Sequence, residues 1–141
     1  MVNKMIKNIC KDQKILSQIS LPATIDDLSI GQDLIDTLRF NKNRCVGMAA
    51  NMIGILKRII VFEADNGELH LMFNPEIISK NGEYITNEGC LSLDGVRETK
   101  RYKKIKVSYY NKDFKKRIMT FVDFTAQIIQ HEIDHINGII I

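Results

Sequence analysis

Asp123-Phe124-Thr125-Ala126-Gln127-Ile128-Ile129-Gln130-His131-Glu132-Ile133-Asp134-His135-Ile136-Asn137 is the stretch on which the fold turns. Asp123 can cap a helix and Gly138 can stop one, so the pattern predicts a helix to about Asn137. At about 100° per residue, His131, His135, Ile128 and Glu132 fall within an arc of roughly 100°. Ile129, Ile133 and Ile136 make an adjoining apolar stripe, and Gln127, Gln130, Asp134 and Asn137 fall on the far side. Two histidines one turn apart can share a metal ion, with Glu132 near enough to act on a water there. The ion would lower the water's pKa and the carboxylate would take its proton.

Two imidazoles do not complete such a site. In the extended motif a third histidine falls six residues after the second, but here that position is Ile141. The third ligand is therefore sought upstream, among Cys10, Cys45, Cys90, His70 and the carboxylates. His70 lies in an alternating strand beside a tight turn, and Cys10 has no companion ligand near it. Cys90 follows Glu88-Gly89, where a glycine lets the backbone pass close to an ion. A thiolate with two imidazoles suits zinc or ferrous iron, whereas calcium and magnesium prefer oxygen.

Working outward, Leu28, Ile30, Leu34, Ile35 and Leu38 recur at helical spacing, which predicts an amphipathic helix over Asp26 to Phe40, ending near Asn41. From there to Phe121 the chain has short β-prone runs. Arg58–Glu63 and Leu69–Phe73 flank Asp65-Asn66-Gly67, a hairpin signature. Asn81-Gly82 predicts a second turn, and Asn111-Lys112-Asp113 a third between Ile105–Tyr109 and Arg117–Phe121. Helix, antiparallel strands, helix is an α+β organisation, expected to be one domain over residues 1–141.

The composition is that of an ordinary globular protein: 141 residues, 45% hydrophobic and 26% charged, enough to build a core without disulfides. A net charge of +3 gives no basis for a DNA partner, and Lys100 to Lys106 alternates as an exposed strand face would. The N-terminus lacks a continuous apolar signal, no run of about eighteen apolar residues suggests a membrane span, and three scattered cysteines suit a reducing compartment. A cytoplasmic protein is expected.

Three separated segments resemble the signature of the peptide deformylases: Gly47-Met48-Ala49-Ala50, Glu88-Gly89-Cys90-Leu91-Ser92 and Gln130-His131-Glu132-Ile133-Asp134-His135. Asn74-Pro75-Glu76, Arg97 and Arg101 resemble the family too. The resemblance implies β-sheets, antiparallel or mixed, around the central C-terminal histidine helix. It also implies removal of the formyl group from the N-terminal formyl-methionine of new polypeptides. Carried over by position, Cys90, His131 and His135 would be metal ligands, Glu132 the general acid/base, and the Leu91 N–H a donor to the formyl oxygen. Gly47 would lend its backbone to the peptide, and Val46 and Ile128 would line the methionine pocket. Glu88 is expected at the substrate site or orienting a ligand histidine. The cofactor implied is one divalent ion, iron(II) favoured, with zinc or nickel as alternatives. The partners implied are N-formylmethionyl peptides and the ribosome exit region.

The sequence also departs from the family. The first motif usually reads Gly-x-Gly-x-Ala-Ala-x-Gln, and here Cys45 replaces the first glycine and Met52 the glutamine. That glutamine's amide helps hold the formyl oxygen, and methionine has no donor. Loss of one oxyanion donor costs on the order of a hundred- to a thousandfold in rate. Asn51 offers a carboxamide one position earlier, shorter and expected to point elsewhere; Cys45 is expected to pack. Asp94 stands where the family commonly has proline, and the family's C-terminal extension is missing. Reduced activity follows as an expectation. The alternatives are a hydrolase of another N-acyl amine, or a weak or silent paralogue that binds formylated peptides.

Overall fold

The computed structural model describes residues 6–90 and 92–141, without the side chains of 93 and 94. A short α1 (Gln13–Leu16) precedes α2 (Leu28–Phe40). Ahead of α2, Thr24 and Asp27 form a reciprocal capping box around a single 3-10 turn, so the helix starts slightly later than its periodicity predicts. The strands are β1 (Gly47–Ala49), β2 (Ile59–Glu63), β3 (Leu69–Cys90), β4 (Leu93–Tyr110) and β5 (Lys116–Val122), and α3 (Asp123–Ile136) closes the chain. They form one antiparallel sheet in the order β1-β2-β3-β4-β5. The α+β class is as expected, with a single meander in place of several sheets. No helix among the described residues is long and apolar enough to cross a membrane.

The core lies where α2 and α3 both pack on β2. This explains why Ile59, Ile60, Val61 and Phe62 are a continuous apolar run, since each face of the strand meets a helix. Leu34 and Leu38 come from one helix and Ile129, Ile133 and Ile136 from the other, with Met72, Phe73, Ile105 and Val107 closing the cluster.

The hairpin at Asp65-Asn66-Gly67 and the turn at Asn111 form as predicted; the Asn111 side chain accepts the backbone N–H groups of Asp113 and Lys115. Asn81-Gly82 does not turn the chain. β3 runs straight through it, Asn81 pairing with Lys104 and Glu83 with Tyr102 in unbroken register, and Gly82 takes a positive φ of 78° within the strand. The reversal falls instead after Cys90, which pairs with Leu93.

Two further expectations are corrected. Asp123 is the first helical residue of α3, Val122 occupies the cap position, and no side chain caps it. On the far side of α3, Gln130 is buried, donating to the Tyr102 carbonyl at 2.7 Å and accepting the Tyr102 N–H at 2.8 Å, so one amide docks the helix on β4. Within Lys100 to Lys106, Arg101 turns inward and is 4% exposed. The C-terminal end of α3 is also held. Asn51 Nδ2 donates to the His135 carbonyl at 2.7 Å, and the Ser20 N–H and Arg58 Nη1 donate to that of Ile136 at 2.8 and 3.3 Å. These satisfy carbonyls that a helix end leaves unpaired. The histidine helix therefore has a fixed register against β1, β2 and β4.

Candidate metal centre and its cleft

On α3, His131 and His135 face inward one turn apart, with their Nε2 atoms 3.0 Å from each other. Cys90, at the end of β3, comes alongside, and its Sγ and one nitrogen of each histidine all lie within 4.8 Å of one another. The Ser92 N–H donates to the Cys90 Sγ at 3.4 Å. Cys10 and His70 take no part: His70 is a half-exposed side chain stacked on Phe62.

Glu88 sits behind His131. Its Oε1 accepts His131 Nδ1–H at 2.7 Å and Arg101 Nη2 at 2.7 Å, while its Oε2 accepts Arg101 Nε and Gln127 Nε2, each at 2.9 Å. Arg101 also reaches Asp134 at 2.6 Å, tying β3, β4 and α3 together. Burial alone would push the Glu88 carboxyl up, but the His131 and Arg101 bonds hold it down at about 2. With Nδ1 spent on Glu88, His131 leaves Nε2 for an ion, the arrangement that aims a ligand histidine. Burial, then the charge of His131, pushes His135 down to about 3, so its ring stays neutral, whereas against burial the bonds to Cys90 and Glu88 push His131 up to about 10, so ligation there displaces a proton. The donors therefore fit one ion of the zinc or ferrous-iron kind.

Glu132 is 4% exposed, its Oε1 has no hydrogen-bond partner among the described residues, and burial raises its pKa to about 7. An orphaned buried carboxylate is costly unless it serves a reaction. It faces a cleft of about 720 Å³ whose walls include Val46, Gly47, Glu88, Cys90, Ile128, His131 and Glu132. All the sequence-derived candidates thus converge except His135, which lies just behind the wall, and Leu91, which lies outside the described residues. Gly47 is required by space. A Cβ there would come 2.6 Å from Ile128 Cγ2 and 2.8 Å from Glu132 Oε2.

Two of the departures from the family pattern, Met52 and Cys45, also land here, while the side chain of Asp94 lies outside the described residues. Met52 lines the cleft at its base, 1% exposed, and its Sδ accepts the Ala49 N–H at 3.4 Å. The thioether therefore keeps the local turn but offers no donor. Asn51 points away, to His135. The Cys45 thiol donates to the Gly47 carbonyl at 2.6 Å, and burial pushes its pKa up to about 12, so it behaves as a packed neutral thiol. Sequence reasoning missed Gln127 and gave Arg101 no task. The i, i+4 spacing of Gln127 from His131 was the available signal.

A thiol and two imidazoles, one of them aimed by Glu88, beside a buried carboxylate on an α+β frame fit a hydrolase of the metal-dependent class. Residues 6–141 match the polypeptide deformylase family model. The chain is 54% identical over 137 residues to the peptide deformylase of Clostridium beijerinckii, covering 97% of this chain and all of that one. It is 44% identical to that of Thermoanaerobacter pseudethanolicus, over 80% of this chain and 70% of the relative. The solved peptide deformylase of Legionella pneumophila superposes with a TM-score of 0.85 at 34% identity, covering 96% of this chain and 83% of that one. That of Acinetobacter baumannii, bound to Met-Ala-Ser, does so with a TM-score of 0.85 at 28% identity, covering 96% of each chain. The chain belongs to the peptide deformylase family. It is a hydrolase that removes the formyl group from the N-formylmethionine of nascent polypeptides.

Proposed function

We propose that Cys90, His131 and His135 hold a single ion, iron(II) by preference with zinc or nickel as alternatives, and that Glu132 moves the protons of deformylation beside it. The observation that carries this is the meeting of three donor atoms within 4.8 Å next to a buried carboxylate oxygen without a partner among the described residues. When bound, the ion acidifies a water and polarises the formyl oxygen. Glu132 accepts the proton of the attacking water and hands it to the departing amine.

β1 lies at the sheet edge, so an extended peptide can add beside it, with Gly47 presenting its backbone where no side chain intervenes. The Cys45 thiol uses one lone pair of the Gly47 carbonyl and leaves the second for a substrate N–H. Val46, Phe124 and Ile128 give the methionine side chain an apolar wall. The Leu91 N–H is assigned to the formyl oxygen on the family pattern, and Glu88 to aiming His131. Nascent chains at the ribosome exit region, in the cytoplasm, are the setting this substrate implies.

Met52 favours a second reading, a weak relative that mainly binds formylated peptides, because it removes an oxyanion donor. Rates on formyl-Met-Ala-Ser and acetyl-Met-Ala-Ser with iron(II)-loaded protein separate the possibilities. A wide preference for formyl supports deformylation; comparable rates point to another N-acyl substrate; binding without turnover marks the silent relative.

A further inference from the structure

Gln127 is one turn before His131 on α3, and both side chains bond the same carboxylate: Gln127 Nε2 to Glu88 Oε2 at 2.9 Å, and His131 Nδ1 to Glu88 Oε1 at 2.7 Å. The other end of the Gln127 amide is held as well, since Tyr84 Oη donates to its Oε1 at 3.3 Å. Tyr84 stands across the β3–β4 ladder from Arg101. A buried carboxylate has room for about two donors on each oxygen, and Glu88 has two on each. Arg101 supplies a bidentate fork, which fixes distance but lets the carboxylate tilt about the line joining the groups. Gln127 bonds from α3, off that line, and removes the tilt.

We propose that Gln127, steadied by Tyr84, is a positioning residue that locks the Glu88 carboxylate and so aims the His131 imidazole at the metal. Gln127 also lines the substrate cleft. With its oxygen on Tyr84 and its nitrogen on Glu88, the amide turns its polar atoms away from solvent, and its methylenes are left to serve as cleft wall. The residue thereby links the substrate wall to the ligand set. The inference rests on the ligand assignment proposed above, and its metal-affinity readout does not depend on which acyl group is hydrolysed.

The test uses Gln127→Leu, which keeps the bulk and removes both hydrogen bonds, and Tyr84→Phe, which removes only the outer one. Cobalt(II) titration followed by thiolate-to-cobalt absorption gives the Kd, and formyl-Met-Ala-Ser kinetics give kcat and KM. Loss of an outer-shell partner of a ligand histidine typically weakens metal binding about 10- to 100-fold. For Gln127→Leu, with Arg101 still in place, about three- to tenfold is expected, with an altered absorption band and a fall in kcat at near-constant KM. Tyr84→Phe should move the Kd in the same direction by about twofold. A raised KM with unchanged cobalt Kd and unchanged band would make Gln127 only a cleft wall and overturn the proposal. If Gln127→Leu does not fold, a Tyr84→Phe protein with unchanged Kd and band overturns it equally.

Discussion

Arg101→Met tests the account where it is most exposed to refutation. The guanidinium, 4% exposed, makes two bonds to Glu88 at 2.9 and 2.7 Å and one to Asp134 at 2.6 Å. Methionine keeps most of the stem volume but leaves the 6%-exposed Glu88 side chain ionised, with only His131 and Gln127 to compensate it. Breaking a buried pair from one side costs about 3–5 kcal/mol, against a typical total stability of about 5–15 kcal/mol. Asp134 adds little, since its side chain is 24% exposed and can be solvated. In a domain of this size the melting temperature should fall by roughly 10–20 °C. Urea denaturation of the metal-free protein, with cobalt(II) titration alongside, measures both consequences. The double variant Arg101→Met/Glu88→Leu should regain much of the stability, because apolar residues replace a buried ion pair at little cost, yet bind metal poorly because His131 has lost its partner. A single variant that loses under about 1 kcal/mol, or a double variant that binds metal normally, would refute the reasoning.

Further outcomes follow from the same geometry. Gly47→Ala places a methyl 2.6 Å from Ile128 and 2.8 Å from Glu132; overpacking should cost about 1–3 kcal/mol and, by displacing Glu132, on the order of a hundredfold in kcat/KM, measured by denaturation and kinetics. Met52→Gln can keep the Ala49 contact through its amide oxygen and restore a donor, so kcat should rise by up to about a hundred- to a thousandfold; an unchanged rate would show that the missing amide is not what limits the site. Glu88 titrates at about 2 in the fold against an ordinary 4.5, so the unfolded chain takes up its proton first as pH falls. Its stabilising contribution, roughly 3 kcal/mol, is complete above pH 4.5 and is lost as the pH falls toward 2; stability curves of wild type and Glu88→Gln should converge over that window.

The site was more legible in the sequence than the sheet around it. His131, Glu132 and His135 announce themselves because metal ligation needs fixed spacing on one helix, and Cys90 because its flanking residues carry the family pattern. Asn81-Gly82 misled because the pair that makes a tight turn also tolerates a positive φ within a strand, and only the partner strand decides between them. Nothing in the local pattern gives Gln130 a partner, yet its amide bonds both backbone groups of Tyr102 and is buried. Arg101 was hidden for the same reason: alternation with lysines suggests an exposed face, whereas Glu88 and Asp134, from β3 and α3, draw it inward. Contacts between distant segments decide such polar residues, and local pattern does not contain them.

The central claim is that Glu132 moves protons beside an ion held by Cys90, His131 and His135. Its most direct test compares wild type with Glu132→Gln, a variant of nearly the same shape, both loaded anaerobically with iron(II) and assayed for metal content and formyl-Met-Ala-Ser turnover. The account predicts one ion per chain in both and a turnover at least about a hundredfold lower in the variant. Equal turnover with equal metal content, or no stoichiometric metal in the wild type, would contradict it.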